Sequence, residues 1–253
     1  MGLGDDGRTL DAVETTLDVV QALHDLDGAT LADLADSVDA PKSTLYYHLN
    51  TLASRGYVVQ EGDEYDVGLT FLTHGARAKR RKRAYETIDQ PLQDLAERTS
   101  AEADFAVEEN GRLVVLSQSV GSGPNTGFLE GSHLYMTNTS AGKAILAEMV
   151  DDQIDQILDT WGLPQETPHS TTDREALFAE LRTVREQGYA VNDEELMEGL
   201  RSVSAVVHDH DGSVLGAISV SGPTYRFTMD RIDGEIADLL LDEIESFEAT
   251  LSQ

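Results

Sequence analysis

The chain has 253 residues, with 18 basic and 47 acidic side chains and a formal net charge of −29 at pH 7. Cysteine is absent, which excludes disulfides, thiolate metal sites and a cysteine nucleophile. No apolar run approaches the roughly 18 residues needed to span a bilayer, and the acidic, glycine-rich start does not resemble a signal peptide, so we expect a soluble, cytoplasmic protein with no membrane partner.

The negative charge is concentrated in the second part of the chain. Residues 1–85 hold nine basic and fourteen acidic residues, whereas residues 86–253 hold nine and thirty-three. Only four residues are lysine, and a composition poor in lysine and rich in carboxylates is typical of halophilic proteins, whose acidic surfaces stay hydrated in molar salt. Charges are screened over about 3 Å in such salt, so the net charge does not exclude a DNA partner.

Three helices are predicted at the start of the chain. Thr30 and Asp33 form a capping box for a short second helix, and Pro41 suits the first position of a third helix that ends near Ser54. The first helix, over residues 10–26, is amphipathic because its apolar residues recur at three- and four-residue steps: Leu10, Val13, Leu17, Val20 and Leu23.

A β-hairpin follows the third helix. The segment YVVQEGDEYDVG predicts two short strands joined at Gly62-Asp63. Two helices, a turn, a helix and a hairpin are the order of a winged helix-turn-helix. We therefore expect a DNA-binding domain over residues 8–68, a helical linker over 69–99 and a second domain over 100–253.

The third helix is the candidate DNA-reading element. Leu45, Leu49 and Leu52 share one face, which is expected to be buried. The opposite face is polar, and a helix fits the major groove of B-DNA, where an Asn amide can read adenine. The residues expected to contact DNA are Lys42, Ser43, Thr44, Tyr46, Tyr47 and Asn50.

Two alternatives remain for this domain. The helix could be an ordinary polar surface helix, and a winged helix can also dock on proteins. The hairpin tip, Glu61 to Glu64, is acidic, which does not favour contact with a phosphate backbone. Six cations within 77–83 could instead supply phosphate contacts, and we favour that interpretation over a solvated run of charge.

The second domain is predicted to be α+β. Strands are expected on either side of the Asn110-Gly111 turn, which is a strong hairpin signal. Further strands are predicted at 189–192, 203–209 and 214–220, and helices at 140–149, 151–160, 173–187 and 230–251. Antiparallel strands with helices between them indicate a sheet flanked by helices.

Four segments resemble the IclR family of transcriptional regulators. They are LADLADSVDAPKSTLYYHLNTLASRGYV, TNTSAGKAILAEM, GYAVNDEELMEGLRSVSAVV and AISVSGP, and they lie in the family's order. The resemblance implies a GAF-like second domain, dimers or tetramers that bind palindromic operators, and small carboxylate or sugar-acid effectors. Carried over by position, the effector site falls on Ser140, Ala141, Asn192, Leu200, Ser202, Ser219 and Ser221.

The residues themselves are compatible with that site. Ser140 lies where a helix begins, so free N–H groups there could bind a carboxylate, and Ser219 and Ser221 share one face of a strand. The alternative is that the serines are polar core residues. Many relatives have an acid in place of Asn192 and an arginine in place of Tyr47, which bears on the identity of the effector and of the operator respectively.

No enzyme, cofactor or metal site is predicted. HDHD at 208–211 is interpreted as a solvated turn, because alternating residues point in different directions. SAGKA lacks the upstream glycine of a phosphate loop, and GAISVSG lacks the spacing of a nucleophile elbow. We expect an effector-controlled transcriptional regulator; the second hypothesis is a small-molecule sensor that acts through protein contacts.

Overall fold

The computed structural model describes residues 9–123 and 127–251. The start of the chain, which was interpreted as lacking a signal peptide, lies mostly outside the described residues. The described residues form two compact units that meet in sequence between Arg81 and Lys82. Within the described ranges, none of the helices has the length and hydropathy of a membrane-spanning segment.

The first unit has the predicted winged helix-turn-helix order. The two-residue strand β1 was not predicted from the sequence. It pairs with β3 and so adds a third strand to the hairpin. The elements are α1 (Asp11–Asp25), β1 (Ala29–Thr30), α2 (Leu31–Ser37), α3 (Lys42–Ser54), β2 (Val58–Glu61), β3 (Glu64–Val67) and α4 (Thr70–Lys79).

Local signals place two of the helix starts. Thr30 accepts from the backbone N–H of Asp33 and Asp33 accepts in return, so the predicted capping box is confirmed. Pro41 was expected inside α3 but is its N-cap residue, with an extended backbone at φ −60° and ψ 143°. The difference is one residue, because the φ of proline fits both positions.

The apolar stripe of α1 is only partly buried. Leu23 is fully buried, whereas Leu10, Val13 and Leu17 are 71%, 52% and 62% exposed. The helical period was correct, but a stripe in the sequence does not reveal how much of it the rest of a small domain can cover. An apolar face of α1 therefore remains on the surface of the chain.

The segment predicted as a helical linker is helical in three pieces. They are α4, α5 (Ala84–Thr87) and α6 (Asp89–Thr99). Helix α4 belongs to the first unit, and α6 buries Leu92 and Leu95 in the core of the second. The segment 69–99 is therefore divided between the two units.

The second unit is built on a six-stranded antiparallel sheet in the order β6-β5-β4-β9-β8-β7. The strand β6 was not predicted because it has three residues. The strands are β4 (Glu102–Glu109), β5 (Arg112–Val120), β6 (His133–Tyr135), β7 (Ala190–Asp193), β8 (Leu200–His208) and β9 (Val214–Pro223).

Helices cover both faces of this sheet. One face packs on α6 and on the C-terminal helix around Phe105 and Ile218. The other packs on helices that bury Ile145, Ile154 and Leu181. The remaining helices are α7 (Ser140–Glu148), α8 (Asp151–Trp161), α9 (Arg174–Gln187), α10 (Met229–Arg231) and α11 (Ala237–Leu251), with a π-helical segment (Ile232–Ile236) before α11.

Candidate functional site

Helix α3 presents the predicted polar face to solvent. Leu45, Leu49 and Leu52 are buried. Tyr46 and Tyr47 are 48% and 71% exposed. Their ring centroids lie 6.2 Å apart in an edge-to-face arrangement. Lys42, Ser43 and Asn50 are also exposed, and Thr44 is half-buried near the start of the helix.

Packing within the first unit fixes how this face is displayed. The hydroxyl of Thr16 on α1 and Nδ1 of His48 on α3 lie 2.8 Å apart. This bond joins the two helices, and the leucines of α3 pack into the same core as Leu23. Helix α3 is therefore held by its buried face, and its polar face stays exposed.

The basic cluster does not lie on one helix. Arg77 and Lys79 end α4, and the cations from Arg80 onward follow in a turn that spans the division between the two units. The acidic hairpin tip lies in the turn between β2 and β3. Phosphate contacts by the cluster stay a prediction.

All seven predicted effector residues line one cavity in the second unit. It is a partly open cavity between the sheet and the start of α7. Sequence reasoning placed these residues from separate segments, and the fold brings them together. The cavity is lined by Ser140, Ala141, Asn192, Leu200, Ser202, Ser219 and Ser221, together with Glu102, Asp104, Leu113, Val115, Gln118, Phe128, Leu134, Thr139 and Leu196.

Strand register explains why the floor of the cavity is polar. Two rows of side chains cross the sheet on one face, since directly paired residues point the same way. Elsewhere this face is apolar and packs on α7. One row consists of Glu102, Ser221, Ser202 and Asn192, and the other of Gln118, Asp104, Ser219 and Ser204.

Serine hydroxyls connect this floor to α7. The Oγ atoms of Ser204 and Ser219 lie 2.8 Å apart, and those of Ser204 and Ser140 lie 2.6 Å apart. The Oγ atoms of Ser140 and Ser202 are also 2.6 Å apart. Because each hydroxyl has one proton, the chain can run in either direction.

The end of the cavity at the start of α7 is rich in hydrogen-bond donors. Thr139 caps α7 by accepting from the backbone N–H of Gly142, and Ser140 and Ala141 form the first turn. Asn192 is 0% exposed, its Oδ1 accepts from the backbone N–H of Glu195, and its Nδ2 has no hydrogen-bond partner among the described residues. A buried amide donor without a partner is costly unless a ligand or water completes it.

A buried ion-pair network holds the start of α7 against the loop after β7. Lys143 is 0% exposed and donates to the carboxylates of Glu180 and Glu195. Burial raises the pKa of Glu195, and the ammonium of Lys143 opposes that rise. The network helps to position Ser140, which lies on α7 with Lys143, and Asn192, which lies on β7 just before the loop that carries Glu195.

Sequence reasoning missed the carboxyl groups of the cavity. Glu102 is 2% exposed, and Asp104 lies two residues further along β4. Burial raises the pKa of Asp104 from 3.8 to about 7; the charge of Glu102 adds to the rise, and a hydrogen bond with Ser219 opposes it. The available signal was two acids on one face of a strand, hidden by the acidic composition.

The HDHD segment is a turn at the end of β8. Asp211 accepts from the backbone N–H and the hydroxyl of Ser213, which is an ordinary turn interaction. His208 contacts Glu248 instead, with Nδ1 3.2 Å from Oε1. In the part of the chain that the structure describes, no group of three or more His, Asp or Glu could hold a metal ion.

Two family descriptions match the chain. "Bacterial transcriptional regulator IclR C-terminal" matches residues 80–246, and "IclR helix-turn-helix domain" matches residues 12–62. The first alone covers more than half of the 253 residues. The chain belongs to the IclR family. The resemblance expected from the four segments is confirmed.

Regulators of the IclR family from other organisms match the chain along most of its length. The protein named probable HTH-type transcriptional regulator ArcR of Halobacterium salinarum is 31% identical over 254 residues, covering 96% of this chain and 95% of that protein. KdgR of Escherichia coli K12 is 31% identical over 236 residues, covering 90% and 89%. The family and these relatives are transcriptional regulators, not enzymes.

Solved structures confirm the fold. IclR of Thermotoga maritima superposes with a TM-score of 0.75 at 24% identity, covering 96% of this chain and 98% of that chain. An IclR-type regulator of Alicyclobacillus acidocaldarius gives a TM-score of 0.80 at 24% identity, covering 97% and 98%. The predicted α+β class, with an N-terminal helix-turn-helix and an antiparallel sheet flanked by helices, is correct.

Proposed function

We propose that this IclR-family regulator reads a palindromic operator with α3 and is controlled by a small effector bound in the cavity of its second domain. The observation that carries the proposal is the convergence of seven residues, predicted from separate segments, on one cavity with a polar floor. A structural core has no need of the Asn192 amide, because a buried amide donor left without a partner costs free energy.

The exposed face of α3 is the proposed base-reading surface. Asn50 offers a bidentate amide, Tyr46 and Tyr47 offer hydroxyls and ring faces, and Lys42 lies at the helix start beside free N–H groups. Salt near molar concentration weakens phosphate contacts, so close base contacts carry more of the affinity. The protein would act in the cytoplasm, where its DNA is.

A second copy of the chain is the proposed partner at the exposed face of α1. Recognition helices must be held about 34 Å apart to read two half-sites one helical turn apart. Leu10, Val13 and Leu17 form an uncovered apolar patch on a helix that also packs on α3, so pairing there would fix that separation.

The operator assay uses two matched amide deletions. Asn50→Ala removes an exposed amide on α3, and Gln156→Ala removes one on α8 of the second unit. A lost bidentate base contact costs about 1–3 kcal/mol, so we expect Asn50→Ala to weaken operator binding about tenfold or more in a gel shift in molar KCl. Gln156→Ala should bind like the parent.

Two results would overturn the proposal. If Asn50→Ala and Tyr46→Ala both bind the operator like the parent, α3 does not read bases. If genome-wide footprinting in native salt finds no protected sites, the winged helix is a protein-docking module. For assembly, Leu17→Glu should shift sedimentation toward the monomer; an unchanged species would remove α1 from the interface.

A further inference from the structure

The cavity has two chemically different ends. At one end lie the first turn of α7 and the Nδ2 donor of Asn192. At the other end lie the carboxyl groups of Glu102 and Asp104 on β4. Hydrogen-bond donors and acidic groups are thus separated across one small space, and a ligand that fits must be complementary to both.

Among the described residues that line the cavity, none at the acidic end is basic. Glu102 and Asp104 are two of the sixteen described lining residues, and the others are apolar, hydroxyl or amide side chains. Residues i and i+2 of a strand share a face, so the two carboxyl groups are neighbours. An anionic ligand group placed beside them would be repelled in a site where water screens poorly.

The donor end is built to hold an acceptor. Helix α7 has nine residues and begins at Ser140, so the partial positive charge of its N-terminus points into the cavity. Asn192 adds an amide donor that is fully buried and has no partner in the part of the chain that the structure describes. These two observations are independent, since one belongs to a helix and the other to the edge strand β7.

We propose that the effector is a small amino acid whose carboxylate binds at the start of α7 and whose ammonium binds between Asp104 and Glu102. This inference rests on the proposed function, because it names the ligand of the same cavity. The serine hydroxyl chain spans the two ends in steps of 2.6 and 2.8 Å, from Ser140 through Ser204 to Ser219 beside Asp104. A chain of a few carbon atoms covers that distance.

Simple carboxylates and sugar acids satisfy only one end. An ammonium supplies three donors and a positive charge, and hydrogen bonds between charged groups are about twice as strong as those between neutral ones. A hydroxyl supplies one donor and no charge, and a second carboxylate adds repulsion. The expected order of affinity is therefore ammonium, then hydroxyl, then carboxylate at the far end.

Three ligands of equal length test that order directly. β-Alanine, 3-hydroxypropanoate and malonate share one carboxylate and differ only at the other end. We expect titration calorimetry on the full-length protein in molar KCl near pH 8 to show β-alanine binding about tenfold or more tightly than 3-hydroxypropanoate, with malonate weakest. Equal affinities, or no binding of any ligand at tens of millimolar, would overturn the proposal.

Two substitutions test whether Asp104 and Glu102 cause the preference for β-alanine over 3-hydroxypropanoate. Asp104→Asn keeps a polar group beside Ser219 while removing the charge, and Glu102→Gln does the same for the second carboxyl group; each should reduce the preference for β-alanine to about threefold or less. Asp242→Asn on α11 removes an exposed carboxyl group away from the cavity, and this variant should keep the preference for β-alanine. Retention of the preference in both cavity variants would overturn the assignment.

Operator binding separates this inference from the proposed function. If malonate or 3-hydroxypropanoate binds as tightly as β-alanine and alters the gel shift, the inference is wrong and the cavity is still an effector site. If β-alanine binds with the expected preference but leaves operator affinity unchanged, the ligand class is right and effector control is wrong.

Discussion

Replacing Asp104 with asparagine should stabilise the second domain, and by more at high pH than at low pH. The folded domain raises the pKa of Asp104 from 3.8 to about 7 because burial and the charge of Glu102 both disfavour its ionised form. The folded state therefore keeps a proton that the unfolded chain has lost, and stability falls as pH rises from about 4 to about 7.

The magnitude follows from the two pKa values. A shift from 3.8 to about 7 corresponds to about 4 kcal/mol at neutral pH and above. Asp104 is half-buried, so water reduces this penalty, and about 2–4 kcal/mol is expected. Most of it builds up above pH 5, so the stability difference between Asp104→Asn and the parent should grow by about 2 kcal/mol from near pH 5 to near pH 8.

Trp161 makes the assay specific for the second domain. It is the single tryptophan of the chain, and its indole N–H donates to the carbonyl of Asn110 in the β4–β5 turn. Urea unfolding at constant molar KCl, followed by its fluorescence, gives the free energy of unfolding at each pH. Asp242→Asn is the control for loss of a carboxyl group. A variant-to-parent difference that is the same near pH 5 and pH 8 would refute the reasoning.

Three further results are expected. The affinity for β-alanine should rise up to about tenfold from pH 6 to pH 8, because Asp104 ionises over that range and its negative charge attracts the ammonium. Glu102 is the other titratable group among the described lining residues. Calorimetry of Asp104→Asn should show no such rise. Lys143→Met should lower the free energy of unfolding by about 3 kcal/mol by leaving Glu195 buried without its cation, and a neutral effect in the Trp161 assay would contradict this. Gly142→Ala should lower the melting temperature, because its Cβ would lie 2.2 Å from the carbonyl oxygen of Met136, whereas Gly234→Ala has open space and should not.

The sequence by itself determined most of the elements and the family. Helical spacing placed the leucines of α3, the capping box of Thr30 placed α2, and Asn110-Gly111 placed the β4–β5 turn. These signals are local, because a hydrogen bond or a side-chain period within a few residues fixes them. The four segments that resemble the IclR family lie in the order of that family, and they indicated the family.

Burial and long-range pairing were decided only by the tertiary structure. The sequence could not show that Leu10, Val13 and Leu17 stay exposed, because that depends on how much of the stripe other elements cover. It could not single out Asp104 among 47 acidic residues, since its neighbours come from β5 and β9 as well as from its own strand. The register of β4, β9, β8 and β7 sets which polar side chains share a face, and that register arises only when the strands pair.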